Sequence, residues 1–583
     1  MNHPQILSTS ISSLTPVSSR RRNASLARLC ALSVSFASAG LALAQVDQTW
    51  NPAGPTNNWS TVAPDLNWDA GTTWVNNNHA IFGGAAETVV VTEPGITFND
   101  LTFSSGYTVA AGLGTLLLGN DAASQITVAT RVTGSISETL GDGSGGASSL
   151  TKTGAGTLVL SGLNTFSGGF TMSQGVVSIS ANTALGGAGG TAGAVTLNGG
   201  TLRVTTGLSN THAVTVGPAG GTINVNASQL IFNAANTLLG RGTLTVTGSG
   251  SLVSNFGNLR LGAANTFSGN IILQDGGNLE YANAAAVDPA ATFMVNNGGE
   301  LSANAAVANA VTVATGGTLS FQSSGNNSFT NPAITLSGNA TVALRDWFNY
   351  ATVRNGAITS GMGGVGGISV NSGTGAGGTL TLSGANTYTG ATVATNSNLT
   401  VSGAAGTISG SSSYSLEGGV LTVDHTAGNV DRLKDTAAVT LGMASGLTLT
   451  GNATTDTTET VGAVTMTGNA TFTVNSASNR VTTLAAASLS RSDFATALVR
   501  MAPAPNPALS NTISRFMLAD AGTSVPQVGT NTLNNGAFDD ATQALKIVPY
   551  LIGDLASQGT AGTSSPTTLR SAFGCSSRPS KRC

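Results

Sequence analysis

The chain has 583 residues, of which 8% are charged and 40% are hydrophobic, and its 77 glycines accompany a formal net charge of −3. Disordered chains usually combine low hydrophobicity with high net charge, and long helices are rich in charged residues, so the composition is typical of neither. The lack of a basic excess also excludes nucleic-acid binding. The composition therefore indicates β-structure with a buried interior.

The first 44 residues have the pattern of an export signal. They contain no acidic residue, and four arginines precede an apolar stretch at 29–43. Ala42 and Ala44 form the small-residue pattern at which signal peptides are cleaved. We predict a signal peptide over 1–44 that is cleaved after Ala44. The apolar stretch is too short for a comfortable membrane span, so we expect no transmembrane span in the mature chain.

The next region is rich in tryptophan. Residues 45–130 contain four of the five tryptophans of the chain, followed by strand-like segments: Trp50, Trp59, Trp68 and Trp74. The open end of a repeat stack exposes unpaired backbone and apolar core, so it requires a cap. We predict a Trp-rich N-terminal β cap over 45–130. The alternative is a carbohydrate platform, because an exposed flat aromatic face can stack on a sugar ring.

A repeated phrase marks the middle of the chain. GTLVLSGLNTFSG at 156–168 and GTLTLSGANTYTG at 378–390 match at nine of thirteen positions, and GNLRLGAANTFSG at 257–269 is a looser copy. Each phrase starts with the alternation of a β-strand and continues with a turn. The asparagine that follows is predicted as a corner residue, because asparagine tolerates a left-handed backbone and can hydrogen-bond its own backbone. These residues are Asn164, Asn265 and Asn386.

Aliphatic residues after a glycine recur between the copies, with many intervals of 18 to 26 residues. A coil of short strands and turns needs about 20 residues, which lies in the range of stacked solenoid repeats. We therefore predict an all-β fold, a right-handed parallel β-helix, with its repeat region at 131–485. An antiparallel sandwich or barrel also has short strands and glycine turns, but it has no reason to repeat a phrase at multiples of one coil.

The phrase LTKTGAGTLVLSGLNTFSG at 150–168, with its partner at 373–390, closely resembles the autotransporter-associated β-strand repeat, also called the passenger-associated transport repeat. Segments 488–500 and 546–554 are similar to the flanks of large secreted proteins that carry this repeat. The resemblance implies export, a β-helical passenger-like region and a place at or outside the cell surface. It implies no catalytic residues, because the repeat motif is structural.

The end of the chain differs from the rest. We predict a C-terminal β-rich region at 486–567 and an atypical basic tail at 568–583. The tail contains Cys575 and Cys583, the two cysteines left after removal of the signal peptide. It is interpreted either as a genuine basic tail or as the premature or frame-shifted end of a longer protein, and the second interpretation is favoured.

Two groups of residues could carry chemistry. β-Helical polysaccharide lyases and hydrolases need acidic residues on one face, often near an arginine. The first candidate is Arg345 and Asp346 beside Trp347. The second consists of four residues in one segment: Asp424, His425, Asp431 and Asp435. Single aspartates at β-helix corners are usually turn formers, so carboxylates that converge in a groove would be needed to support an enzyme.

The histidines of the mature chain are scattered and are expected to be ordinary surface or turn residues: His79, His212 and His425. We therefore predict no catalytic, cofactor-binding or metal-ligating residue and no cofactor. The expected function is that of a secreted or cell-surface structural or adhesin-like protein, with an extracellular glycan, matrix or cell-surface partner. The alternative is a β-helical polysaccharide lyase or hydrolase that acts on extracellular glycans.

Overall fold

The computed structural model describes a chain built from β-strands. The described residues are 45–69, 71–119, 123–187, 193–226, 228–249, 258–321, 334–337, 341–346, 351–354, 356–361, 364–372, 378–428, 430–477, 479–492, 494–501, 513–518 and 551–555. They lie in one structural unit, Gln45–Cys583. Among these residues the only helical segment is a single 3-10 turn, Asn182–Leu185. The predicted signal peptide and basic tail lie outside the described residues.

The strands of the first half are short. In chain order they are β1 Asp47–Thr49, β2 Asn58–Trp59, β3 Asn78–Phe82, β4 Thr88–Val91, β5 Ile96–Phe103, β6 Thr108–Ala110, β7 Leu116–Leu118, β8 Ala123–Val128, β9 Thr133–Ile136, β10 Leu140–Gly141, β11 Ser149–Thr153, β12 Thr157–Leu160, β13 Phe170–Met172, β14 Val176–Ile179, β15 Val195–Leu197, β16 Thr201–Val204, β17 Leu208–Ser209, β18 Val214–Val216, β19 Gly221–Asn224, β20 Leu230–Phe232, β21 Leu238–Gly240 and β22 Leu244–Thr247.

The second half continues in the same way, with longer strands towards its end. Its strands are β23 Asn258–Leu261, β24 Asn270–Leu273, β25 Asn278–Tyr281, β26 Thr292–Val295, β27 Glu300–Ala303, β28 Ala310–Val313, β29 Thr318–Phe321, β30 Ile334–Leu336, β31 Thr341–Asp346, β32 Ala351–Arg354, β33 Ile358–Ser360, β34 Gly367–Ser372, β35 Thr379–Leu382, β36 Thr392–Thr395, β37 Asn398–Val401, β38 Ser413–Glu417, β39 Val420–Asp424, β40 Ala438–Leu441, β41 Ser445–Thr450, β42 Thr457–Met466, β43 Ala470–Asn475, β44 Val481–Arg491, β45 Ala497–Met501, β46 Ile513–Leu518 and β47 Leu551–Leu555.

Four sheets form a parallel β-solenoid. Sheet 1 has eleven strands and runs from β1 to β21, and sheet 2 has fourteen and runs from β2 to β33. Sheet 3 has fourteen strands, from β17 to β46, and sheet 4 has eight, from β32 to β47. Pairings between named strands that the structure describes are parallel. The fold is therefore the predicted parallel β-helix, and the antiparallel alternative is wrong.

Sheets begin and end along the stack. Sheet 3 starts at β17 before sheet 1 reaches its last described strand, β21, and sheet 4 starts at β32 beside the last described strand of sheet 2, β33. The three copies of the repeated phrase therefore start in three different sheets, with β12 in sheet 2, β23 in sheet 3 and β35 in sheet 4. The phrase specifies a strand and its following corner, not a particular sheet.

The core consists of aliphatic side chains stacked in register. In sheet 2, Leu158 pairs with Val177, which pairs with Leu202 in the next coil, and all three are buried. Alternate side chains of a strand lie on opposite faces, and neighbouring strands are about 4.8 Å apart, so each coil covers the apolar residues of the coil before it. The recurring aliphatics of the sequence belong to three such series, because Leu279 lies in sheet 3 and Leu399 in sheet 4.

The asparagine of the repeated phrase holds the corner that follows the strand. The side-chain oxygen of Asn265 accepts hydrogen bonds from the backbone N–H groups of Thr237 (3.0 Å) and Leu238 (2.9 Å). Its amide nitrogen donates to the carbonyls of Ala263 (2.9 Å) and Ala286 (3.1 Å). Asn265 is 5% exposed. One side chain therefore bonds the coil before and the coil after its own.

The other two copies repeat this arrangement. In one copy, Asn164 accepts a hydrogen bond from the Leu140 N–H and donates to the Ala184 carbonyl. In the other, Asn386 accepts from the Ile358 N–H and donates to the Thr407 carbonyl. The aromatic residue two positions after each asparagine is buried in the core: Phe166, Phe267 and Tyr388. None of the three asparagines is among the described residues with positive φ. These asparagines therefore act as corner residues through their side chains, and Asn265 and Asn386 also bond the carbonyls two residues before them.

The four N-terminal tryptophans form one buried cluster. Trp68 lies with its ring centroid 4.6 Å from that of Trp74 and 5.2 Å from those of Trp50 and Trp59. Each of the four is at most 2% exposed. Tilted and edge-to-face rings at these distances add to the stabilisation that burial supplies. The packed cap is therefore confirmed, and the carbohydrate platform is wrong for these tryptophans, since none offers a face to solvent.

The predicted domain boundaries at 130/131 and 485/486 stay predictions. Strand pairing runs across both positions. β6 pairs with β9 on either side of the first, and β44, which pairs with β42, contains the second.

Lys152 of the first repeat occupies an inward position. It lies in register between Ile126 and Met172, and it is fully buried. Its ammonium group donates to the carbonyls of Thr153 (2.6 Å) and Gly154 (2.7 Å) and, across the stack, to that of Gln174 (3.2 Å). Burial lowers the pKa of Lys152 to about 8, because it penalises the charged form.

This lysine predicts a pH dependence of stability. Between the lowered pKa of about 8 and its ordinary value of 10.5, the unfolded chain binds the proton and the folded chain does not. The free energy of unfolding should therefore rise across this window by up to about 3 kcal/mol, and this gain is lost as the pH falls to 8. Urea unfolding at pH 8 and pH 10 tests this, with Lys152→Met as the control that should lack the rise. An equal rise in both proteins would contradict it.

Candidate functional site

The structure places the four residues of the second predicted acidic group in different environments. Asp424 ends β39, and its carboxylate accepts a hydrogen bond from the backbone N–H of Thr426 (2.9 Å), as in a turn-forming aspartate. Asp431 and Asp435 are exposed. Burial, together with the nearby charge of Asp435, raises the pKa of Asp431. Only His425 turns inward, and it is 1% exposed.

His425 meets a residue that was not selected from the sequence, Glu459, which also contacts Arg432. Nε2 of His425 lies 2.9 Å from Oε2 of Glu459, and both side chains are buried. The two atoms are close enough for an ion pair, but they are not aligned for a hydrogen bond. Arg432, also fully buried, completes the group. We call His425, Arg432 and Glu459 the buried charged cluster.

Arg432 connects consecutive coils. Its guanidinium donates to the carbonyl of Gly406, to that of Gly403 (2.7 Å) and to that of Gly428 (2.9 Å). Its backbone N–H donates to Oε1 of Glu459 (3.1 Å), which belongs to the following coil. Gly403 and Gly406 follow β37 in the preceding coil. The cluster therefore fastens three coils together from the inside.

Burial decides what the cluster can do. Desolvation raises the pKa of the Glu459 carboxyl, and the contacts with His425 and the backbone N–H of Leu433 oppose it. A shifted pKa is often a sign of an active site, but structural ion-pair networks shift pKa values too. Because all three side chains are at most 1% exposed, a polymeric substrate has no access to them. The cluster is a structural element of the interior.

Strand alternation offered a signal for Glu459. In β42 it lies at an inward position, two residues before the buried Val461. A charged residue at such a position must find a partner inside. Nothing in the local sequence marks Arg432, because it lies in an irregular loop whose inward direction depends on the neighbouring coils.

The first predicted group falls largely outside the described part of the chain. Arg345 and Asp346 belong to the backbone of β31, where Arg345 pairs with Ser320 and Asn371. Trp347 and the side chains of this group lie outside the described residues. Within the described residues, no three His, Cys, Asp or Glu side chains are grouped so that they could hold a metal ion.

The remaining histidines were expected to be surface or turn residues. His212 lies in a bend, but it is 1% exposed and not on the surface, and burial lowers its pKa. His79 is partly exposed on the outer face of sheet 1, with Nδ1 2.9 Å from the Asp47 carboxylate and Nε2 2.8 Å from the Thr102 hydroxyl.

The outward face of sheet 2 forms a long row of neutral side chains. We call this row the sheet 2 outer rank. It is half-buried or exposed and consists of Thr133, Thr157, Val176, Thr201, Thr222, Thr245, Ile272, Met294, Thr312, Thr335 and Thr359. Sheet 1 carries a shorter row: Thr151, Thr171, Thr196 and Thr215. The threonines of these rows present hydroxyl groups, and those of paired strands lie about 4.8 Å apart. Val176, Ile272 and Met294 interrupt the row of sheet 2.

The repeated phrase matches a known family. The Passenger-associated-transport-repeat family matches residues 150–179 and 374–396, which include β12 to β14 and β35. The chain carries passenger-associated transport repeats. A curated protein of Brucella suis biovar 1 (strain 1330), named "Adhesin BmaC autotransporter", is 30% identical over 240 residues. The match covers 40% of this chain and 6% of that protein.

These matches confirm the resemblance to the autotransporter-associated repeat. The chain spans only a small part of the length of the curated relative, so the activity of that whole protein does not transfer. Among the residues that the structure describes, we find no helical segment with the length and apolarity that a membrane crossing requires.

Proposed function

We propose that this chain is part of a cell-surface or secreted adhesin-like passenger, which binds an extracellular glycan or matrix component and catalyses no reaction. The observation that carries the proposal is the location of its polar groups. Neutral hydroxyl groups line the outer faces in register, whereas the buried charged cluster is enclosed. The repeat family and the name of the curated relative support the same class of function.

The outer rows of sheets 1 and 2 suit adhesion for a physical reason. One hydroxyl group contributes little net affinity, because it exchanges a hydrogen bond to water for one to the ligand. A row of such groups at one spacing can engage a repeating ligand at several points, and the linked contacts then add through effective concentration. A protein that works in this way needs a stable, regular stack and no shifted pKa on its surface.

The proposal is tested with the full chain on cells. Cells that express the full chain are compared with cells that express a variant without residues 45–555. The measurement is attachment to immobilised matrix proteins and polysaccharides. We expect accessibility to external protease, attachment that depends on the chain, and no released sugar products. Retention inside the cell or unchanged attachment would overturn adhesion, and products released by the purified chain would overturn the non-enzymatic part.

A further inference from the structure

A groove on the outer surface of sheet 4 is not explained by the stack itself. It has a volume of about 340 Å³ and crosses four consecutive coils. Its centre lies where Val420 pairs with Gly446, Gly446 with Thr471 and Thr471 with Leu498. Since neighbouring strands are about 4.8 Å apart, the groove runs along the stacking direction for about 14 Å.

Gly446 forms part of the floor of the groove. The alternation of β41 places Leu447 and Leu449 inside, so position 446 points outward, between Val420 and Thr471. A Cβ atom at Gly446 would lie 3.2 Å from the Thr471 carbonyl oxygen and 3.3 Å from a Val420 methyl carbon. These distances are shorter than ordinary contacts of a Cβ atom, so a side chain at this position would crowd the floor of the groove and shift its neighbours.

The rim carries a positioned polar group. The Asn469 side-chain oxygen accepts hydrogen bonds from the backbone N–H of Thr496 (3.1 Å) and from its hydroxyl (2.9 Å). This fixes the amide and leaves its nitrogen as a donor of two hydrogen bonds at the rim. The Thr471 hydroxyl is partly exposed in the same groove.

The character of the groove selects a class of ligand. None of the described residues that line the groove is charged. Polar Asn469 and Thr471 lie along its middle, between apolar Val420 and Leu498 at its ends. Sugar rings have the matching character, with hydroxyl groups at their edges and C–H groups on their faces. An added peptide strand fits less well, because the backbone N–H groups of Gly446 and Ala470 are already bonded, to Gly419 and Thr496.

We propose that this groove binds a segment of an extended, uncharged polysaccharide lying along the stack. The volume is at the lower end of the range of about 300–1,000 Å³ for small-ligand sites, so about one or two sugar rings fit at a time. The Asn469 amide and the Thr471 hydroxyl bond the ring hydroxyls, and the apolar ends contact ring faces. This inference rests on the proposed function and names its ligand class.

The test measures binding of neutral tetrasaccharides to the purified full chain by saturation-transfer NMR and calorimetry. The probes are β-1,4-linked glucose, mannose and xylose and α-1,4-linked glucose, with tetragalacturonate and a polyserine peptide for comparison. We expect at least one neutral sugar to bind. Gly446→Val, which fills the groove, and Asn469→Asp, which keeps the acceptor for Thr496 but loses the donors, should each weaken binding at least about tenfold.

A matched control is Asn198→Asp. Asn198 also accepts a backbone N–H with its side-chain oxygen, that of Ala219 (3.1 Å), but lies on a distant turn, so this variant should bind as the unchanged chain does. Binding that persists in both groove variants, loss in the control, or preference for tetragalacturonate or the peptide would overturn the groove. If cells still attach while no neutral sugar binds, the groove fails and the proposed function stands.

Discussion

Replacement of Asn265 by alanine should destabilise the coils around it by about 3 kcal/mol or more, because two backbone N–H groups and two carbonyls lose a buried partner. A buried donor or acceptor left without a partner costs about 1–3 kcal/mol. In a stack of repeats, each coil contacts only its neighbours, so the effect should be local. It is measured by hydrogen exchange at Leu238 and Ala286.

Two comparisons make this prediction specific. Asn265→Asp keeps the acceptor for Thr237 and Leu238 but buries a carboxylate against the carbonyls of Ala263 and Ala286, so at neutral pH we expect a loss of about 3 kcal/mol or more here too. Asn270→Ala removes a surface asparagine whose side-chain oxygen accepts a hydrogen bond from the Thr292 hydroxyl, and it should leave protection at Leu238 unchanged. Equal exchange at Leu238 in Asn265→Ala and Asn270→Ala would show that the corner asparagine does not hold the coils together.

Replacement of Arg432 by methionine should destabilise the C-terminal coils by about 3–5 kcal/mol, because Glu459 then remains as a buried charge and the carbonyls of Gly403, Gly406 and Gly428 lose their donor. Hydrogen exchange by mass spectrometry should show faster exchange over residues 398–466. The coils before residue 240 should keep their protection and serve as an internal reference.

The outer surface supplies the control for this variant. Arg203 lies on the outer face of β16, partly exposed, so Arg203→Met should change stability by no more than about 0.5 kcal/mol. Glu459→Gln removes the buried charge but keeps an oxygen that can accept from Arg432 N–H, so its effect should be smaller than that of Arg432→Met. Unchanged exchange over 398–466 in Arg432→Met would contradict the structural role of the cluster.

The fold could be predicted from the sequence because its signals are local. The alternation of Thr157 and Val159 with Leu158 and Leu160 defines a strand, and a phrase repeated at multiples of one coil defines a stack. The change of sheets could not be predicted, because it depends on which neighbour each strand meets. The phrase around Leu158 and the phrase around Leu380 look alike, yet their strands lie in sheet 2 and sheet 4.

The candidate site shows the same limit. Asp424, His425, Asp431 and Asp435 were grouped because they are close in the chain, whereas the structure places His425 against Glu459, a residue of the next coil. Partners separated by one coil are adjacent in space but have no fixed spacing in sequence, since coil length varies. The role of Asn265 was missed in part for the same reason, because its main partners belong to the neighbouring coils.

The outer rows and the groove depend on one feature, which is that the described strands between residues 47 and 555 form an in-register parallel stack. Thr201 and Thr222 are register partners in adjacent coils on the outer face of sheet 2. Cysteines at such positions, with Cα atoms about 4.8 Å apart, lie within the range that a disulfide spans. Thr245 is two steps from Thr201, at about 10 Å, which is too far.

Oxidative cross-linking of the full chain, with its three natural cysteines replaced by serine, is the most direct measurement. From this register we expect that Thr201→Cys with Thr222→Cys forms a disulfide that mass spectrometry identifies, and that Thr201→Cys with Thr245→Cys does not. A disulfide in the second pair but not in the first, or none in the first under conditions where both cysteines react with a thiol reagent, would contradict the parallel stack.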